Sequence, residues 1–184
     1  MKPSLLRIGI LGAARIAPQA VIGPARTNPS IEVVAVAARD AGQATKFART
    51  HAIPRVHPSY DALIADPEID AIYNPLPNSL HAEWSNRALR ANKQVLGEKP
   101  MAASAEEAAE MAQVAAETGL VLFEAFHYRY HPLAKRTKAI IDSGEIGAVR
   151  HIDAQLCTVM LRPNDIRLDF ALGGGALMDL GCYT

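Results

Sequence analysis

Short apolar runs alternate with longer helix-compatible segments along the first two-thirds of this chain, and that alternation constrains the fold more than any other feature. The runs are Leu5–Leu11, Ile31–Ala37, Ala71–Tyr73, Lys93–Leu96 and Leu120–Phe123. None alternates with polar residues, so each suits a strand covered on both faces, as in a parallel sheet. Between them, Ala14–Thr27, Ala41–His51, Ser59–Ala65, Asn78–Ala91 and Ser104–Thr118 suit helices. The last is the best punctuated: Ser104 caps it, Glu107 completes a capping box, and Gly119 ends it. Strand–helix alternation of this kind predicts an α/β domain built on a doubly wound parallel sheet.

The pattern changes after Phe126. His131–Asp142 reads as a helix stopped by Gly144, and Ala148–Met160 reads as one long strand. In that strand Ile152, Ala154, Leu156 and Met160 are apolar, whereas His151, Asp153 and Gln155 between them are polar. Such alternation predicts one buried face in a mainly antiparallel, open-faced sheet. The boundary falls near residue 125, giving a Rossmann domain over residues 1–124 and the beginning of an α+β domain over residues 125–184. A lone strand forms no sheet, so the second domain reads as truncated. Its apolar side is expected to cover the segment that carries Asp179 and Tyr183. Its other side, with Val149, Cys157 and Val159 among polar residues, suits a subunit interface.

Composition narrows the function classes. The 19 Lys and Arg cancel the 19 Asp and Glu, leaving no electrostatic footprint for nucleic acid or an anionic membrane. Only Cys157 and Cys182 are present, too few for a disulfide framework or a four-thiolate zinc site. Arg7 interrupts the apolar stretch at the start, which argues against a secretory signal, and no run approaches the roughly 18 apolar residues of a membrane helix. A cytoplasmic globular protein is expected. His127-Tyr128-Arg129-Tyr130-His131 has no carboxylate or cysteine at ligand spacing and reads as a domain junction, with no metal expected.

The first strand runs into Gly12-Ala13-Ala14-Arg15-Ile16-Ala17, a relaxed dinucleotide fingerprint with Ala at its second and third glycine positions. Gly12 permits the tight turn, small residues admit a pyrophosphate, and the following helix start offers free amides. The second strand ends in Ala38-Arg39-Asp40, with no acid where NAD-binding chains place one for the ribose hydroxyl. A guanidinium there suits a 2′-phosphate, which favours NADP and leaves NAD open.

Three further segments carry chemistry. The third strand opens into Asn74-Pro75-Leu76-Pro77-Asn78-Ser79-Leu80-His81, and the fourth into Gly97-Glu98-Lys99-Pro100. Near the end stands Gly173-Gly174-Gly175-Ala176-Leu177-Met178-Asp179-Leu180-Gly181-Cys182-Tyr183. In a parallel sheet the first two lie at carboxyl ends, where such sheets bind ligands. Asp179 and Tyr183, four apart, share one face if both lie on a helix. An ammonium beside a phenol lowers its pKa, so Lys99 would prepare Tyr183 to take a proton from a substrate hydroxyl. Lys99 would polarise the same oxygen, and Asp179 would position Lys99 or a neighbouring hydroxyl.

In this order the four motifs resemble the glucose–fructose oxidoreductase / inositol dehydrogenase (Gfo/Idh/MocA) family over the whole chain, although known members are longer. The resemblance implies catalytic roles for Lys99, Asp179 and Tyr183. It implies a cofactor site of Gly12, Ala13, Ala14, Arg15, Ile16, Ala38, Arg39, Asn74, Pro75, Leu76, Asn78, His81, Glu98, Lys99 and Arg129. It places the polar loop of Arg162, Asn164, Asp165 and Arg167 at the substrate mouth, with Arg162, Asn164 and Arg167 as the substrate contacts. Tyr183, where many relatives have His, is similar to the branch holding NADP-dependent sugar and dihydrodiol dehydrogenases. The implied activity is hydride transfer between NADP and a sugar, polyol or cyclic diol, in a homo-oligomer joined through the second-domain sheet. A nicotinamide-dependent glycosidase and a non-catalytic nucleotide-binding fragment remain as alternatives.

Overall fold

The computed structural model describes residues 5–159, 162–163 and 165–184. Its strands are β1 (Leu6–Leu11), β2 (Ile31–Ala37), β3 (Arg55–His57), β4 (Ala71–Asn74), β5 (Gln94–Gly97) and β6 (Leu122–Glu124). They form one sheet in the order β3-β2-β1-β4-β5-β6, with every neighbouring pair parallel. The order reverses between β1 and β4, so a crevice opens at their carboxyl ends, where doubly wound sheets take their ligands.

Each connection crosses over through a helix. A π-helical turn (Pro18–Ile22) leads into α1 (Gly23–Thr27), followed by α2 (Ala41–His51), α3 (Tyr60–Ile64), α4 (His81–Arg90) and α5 (Ala105–Thr118). Two apolar layers result. Ile8, Ile10, Val36 and Tyr73 pack with Val21, Ile22 and Ala48 on one face. Leu11, Ile72 and Val95 pack with Leu63, Leu89 and Val114 on the other. Burial on both faces is why these strands read as unbroken apolar runs.

Local chemistry sets the helix ends. The Asp40 carboxylate accepts from Gln43 N at 2.7 Å, and Ser104 Oγ accepts from Glu107 N at 3.2 Å. The reciprocal half of the expected box is displaced by one residue, since the Glu107 carboxylate accepts from Ala103 N at 2.9 Å. Gly119 ends α5 in the left-handed region. The first helical connection departs most from expectation: regular structure begins at Pro18 and not at Ala14, leaving residues 13–16 as an open turn.

Past β6 the chain forms a 3-10 turn (His127–Tyr130), then α6 (Pro132–Ser143), capped by His131 and ended by Gly144. The strand expected over Ala148–Met160 is not formed through residue 159, and Met160 lies outside the described residues. No strand among the described residues pairs with the segment, and an extended backbone without a partner leaves its ladder groups unmet. Ile152 and Leu156, expected to share a buried face, are 75% and 43% exposed. They do not cover the catalytic segment. That segment comprises short 3-10 turns, then α7 (Ala176–Asp179) and a 3-10 turn over Gly181–Tyr183. Among the described residues no helix is long and apolar enough to cross a membrane.

Candidate active site

A cavity of about 1160 Å³ opens at the carboxyl ends of the central strands. One wall is the turn after β1. Gly12 adopts φ +82°, and a side chain there would meet Leu76 Cδ2 at 3.1 Å, so the turn needs glycine on both counts. The N–H groups of Ala13, Ala14, Arg15 and Ile16 donate to no backbone acceptor among the described residues. Four undirected amides at an open turn fit an anion such as a pyrophosphate.

The opposite wall carries the expected catalytic residues. β5 ends at Gly97 and delivers Glu98 and Lys99 to the cavity floor. The Lys99 ammonium donates to the Asp179 backbone carbonyl and stands 3.0 Å from Asp179 Oδ1. It also lies 5.0 Å from the centre of the Tyr183 ring. Phe126 stacks on that ring at 5.3 Å, fixing its plane. Lysine has three donors, and Asp179 engages two of them, which leaves one for a substrate oxygen.

Two expectations about this trio need correction. Asp179 and Tyr183 do not share one helix, because α7 stops at Asp179 and Leu180, at φ −117° and ψ −34°, breaks into the 3-10 turn. They converge through that break and not through helical periodicity. Nor is the Tyr183 phenol lowered by Lys99. Burial, reinforced by the Cys182, Glu98, Asp179 and Glu124 charges, pushes it up to about 12. The ammonium charge is offset by its pairing with Asp179, so burial decides the shift.

Of the expected cofactor residues, Ala13, Ala14, Arg15, Ile16, Pro75, Leu76, Asn78, His81, Glu98 and Lys99 line the cavity. Ala38 and Arg39 lie off it, at the end of β2, where Arg39 is exposed beside the Tyr60 phenol. Asn74 does not face the cavity. It is fully buried and its amide donates to His81 O and Ser85 Oγ, tying β4 to α4. Arg129 is exposed outside the cavity, because the His127–Tyr130 turn directs it away. His81 is a brace: its ring nitrogens stand 2.8 Å from the Pro100 and Leu76 carbonyls, linking the two motif loops. Burial lowers its pKa, which keeps the ring neutral and donating to one carbonyl at a time.

The expected substrate residues divide. Arg162 lines the cavity, and Asn164 lies outside the described residues. Arg167 also lines it, but its Nε is 3.1 Å from Asp179 Oδ2 and its Nη1 3.5 Å from Asp165 Oδ1. Its Nε and Nη1 therefore face two carboxylates, which leaves at most Nη2 for a ligand. Sequence reasoning passed over two contributors, Tyr73 and Phe126, and read a third, Asp165, only as part of the substrate-mouth loop. Asp165, 2% exposed at its side chain, receives Arg15 Nη2 at 2.7 Å from the turn after β1. Tyr73 donates to Glu98 Oε1 at 2.7 Å, and Phe126 stacks on Tyr183. Tyr73 carried a signal, as a polar-tipped residue in a buried strand; Asp165 carried one as a member of the polar loop before the triple glycine, and Phe126 carried none.

Comparison with known proteins agrees with this geometry. The description "Oxidoreductase family, NAD-binding Rossmann fold" matches residues 6–126, and "GFO/IDH/MocA C-terminal domain" matches residues 134–184. An uncharacterized oxidoreductase of Rhizobium meliloti is 45% identical over 97% of this chain and 54% of its own length. A D-xylose 1-dehydrogenase (NADP(+)) of Haloferax volcanii is 42% identical over 97% of this chain and 55% of its own. The 3-ketoreductase KijD10 from Actinomadura kijaniata, solved with NADP and TDP-benzene, superposes with a TM-score of 0.86. Its identity is 36%, over 98% of this chain and 55% of that one. The chain thus spans about half the length of the relatives it matches.

Proposed function

The chain belongs to the Gfo/Idh/MocA oxidoreductase family, and from that membership we propose that it transfers a hydride between NADP and a carbonyl or hydroxyl carbon of a sugar or related polyhydroxy compound. One observation carries the reading: Lys99, Asp179 and Tyr183 converge on a cavity whose far wall is a turn with four undirected amides. The amides of residues 13–16 would hold the pyrophosphate, Arg39 the 2′-phosphate, and Pro75, Leu76 and Glu98 would flank the nicotinamide end. The nicotinamide, when bound, supplies or accepts the hydride.

The chain's own groups handle the proton. With its phenol pushed up to about 12, Tyr183 holds its proton at neutral pH and donates it to a carbonyl oxygen as that oxygen gains charge. The spare donor of Lys99 stabilises the same oxygen, and Asp179 fixes the ammonium. The same groups serve both directions, with Tyr183 giving its proton in reduction and taking it back in oxidation. The relatives named above, an NADP-dependent xylose dehydrogenase and a ketoreductase, support the substrate class.

Titrating NADP and NAD against the fluorescence of Trp84, the single tryptophan, tests the cofactor half of the proposal. NADP is expected to bind more tightly. Arg39→Ala is expected to narrow the gap by on the order of 1.5–3 kcal/mol, the contribution of a charge-assisted hydrogen bond. Equal affinities that the substitution leaves alone would sink the assignment of Arg39.

The proposal includes a homo-oligomer. Leu133, Ile146 and Ile152 are 62–75% exposed, an apolar display beyond the Rossmann core that association would cover. Light scattering across a concentration series is expected to show association. A concentration-independent monomer of 19.8 kDa contradicts it.

A further inference from the structure

Asp165 is an anion whose side chain is 2% exposed, and a buried charge persists only where partners compensate it. Its partners come from two distant parts of the chain. Arg15 Nη2 reaches it at 2.7 Å from the turn after β1, and the Arg167 N–H donates to Oδ1 at 3.1 Å, with Nη1 at 3.5 Å. These contacts hold its carboxyl below the usual carboxylate range. Arg167 continues outward: its Nε is 3.1 Å from Asp179 Oδ2, while Lys99 Nζ is 3.0 Å from Asp179 Oδ1. Each oxygen of the Asp179 carboxylate therefore has its own cation, and neither can turn without losing one.

We propose that Asp165 and Arg167 are positioning residues, which fix Asp179 and through it the Lys99 ammonium. An unbroken line of alternating charges, Arg15–Asp165–Arg167–Asp179–Lys99, joins the phosphate-facing turn to the proton-transfer end of the cavity. This rests on the roles given above to Lys99 and Asp179, and it moves Arg167 from substrate contact to support of the catalytic pair. Without Arg167, Asp179 Oδ2 loses its cation, the carboxylate is free to rotate, and the ammonium loses its fixed place.

Lys99 reactivity tests this without cofactor or substrate. The free protein is treated with acetic anhydride, and acetylation of Lys99 is followed by mass spectrometry, with Lys138, paired to Asp142 on α6, as internal reference. Arg167→Met is expected to change the rate of Lys99 acetylation about twofold or more relative to Lys138, since removing one member of a charge network shifts the others with either sign. Asp165→Asn, which does not touch Lys99, is expected to act in the same direction as Arg167→Met, and Arg167→Lys to return the rate part of the way to the parent value. In an Asp179→Asn background, Arg167→Met should add little. Should Arg167→Met fail to fold by circular dichroism, Asp165→Asn and Arg167→Lys carry the same comparison.

In turnover, Arg167→Met is expected to lower kcat about tenfold with KM and NADP affinity near the parent values, since a displaced catalytic group loses rate and not binding. Unchanged Lys99 acetylation in both Arg167→Met and Asp165→Asn overturns the proposal, as does a raised KM with kcat intact. Variants that change Lys99 acetylation as expected, in a protein that shows no redox turnover, support the positioning and refute the proposed activity.

Discussion

Tyr183→Phe is expected to slow carbonyl reduction by about 10²–10⁴-fold, the usual cost of losing a positioned proton-transfer group. NADP affinity should be nearly unchanged, because Phe keeps the ring that stacks on Phe126 at 5.3 Å and loses only the hydroxyl. Lys99→Ala is expected to cost at least as much, since it removes the donor aimed at the substrate oxygen and releases Asp179. The double variant should be little worse than the worse single one, because groups that act on one oxygen are not additive.

The pH dependence follows from the raised phenol. A donor must be protonated, and Tyr183 stays protonated past the ordinary tyrosine value near 10 until pH approaches about 12. Reduction should therefore not decline on account of this group through pH 10. The same shift means that the folded state holds this proton more tightly than the unfolded chain. Its contribution to stability is complete below about pH 10 and is lost as pH rises toward 12. Single-turnover reduction across pH, with ultraviolet absorbance titration of parent and Tyr183→Phe proteins, checks both statements. A Tyr183→Phe protein with full activity, or a phenol titrating below 10, would remove Tyr183 as the donor.

Much of this site was legible because its signals are local. The parallel sheet follows from apolar runs buried on both faces, the α5 start from Ser104, and the tight turn from Gly12. The strand ends put Lys99 at the ligand side of the sheet, and the family resemblance alone implied that Asp179 and Tyr183 meet it there. What was not legible is set by partners far along the chain. β3, Arg55–His57, is a three-residue edge strand of polar character with Val56 39% exposed, so it lacks the buried run that marked the others. The alternation over Ala148–Met160 is a strand pattern, but a pattern supplies no neighbour, and none pairs with it among the described residues. Asp165 reads as a solvated loop acid until Arg15, 150 residues away, is placed against it. The raised pKa of Tyr183 comes first from its burial, which spacing does not reveal.

The triple glycine decides whether these distant partners meet, and Gly174→Ala is expected to show it. A side chain at 174 would stand 2.6 Å from the Asp169 carbonyl oxygen and 2.7 Å from that of Arg167. Both are backbone atoms, and both belong to a knot that cannot open cheaply: Gly174 N donates to Asp169 O at 2.9 Å and Gly175 N to Arg167 O at 2.7 Å. Gly173, at φ +73°, meanwhile presses on Asn78 and accepts from its amide at 2.8 Å, docking the knot on the first domain. The added methyl must push Arg167 off Asp179 or lift the loop from Asn78. Overpacking of this kind costs roughly 1–3 kcal/mol, which a domain with its own two-layer core survives. Turnover should nevertheless fall about 10²-fold, because an ångström of misplacement at Lys99 is that costly. Gly119→Ala provides the contrast: φ is +68° but nothing lies within 4 Å, so backbone strain of about 1 kcal/mol is expected without loss of turnover. Thermal unfolding and turnover measured on both variants separate the cases. A Gly174→Ala protein as active as Gly119→Ala would mean that the knot at residues 167–175 does not set the geometry of Lys99.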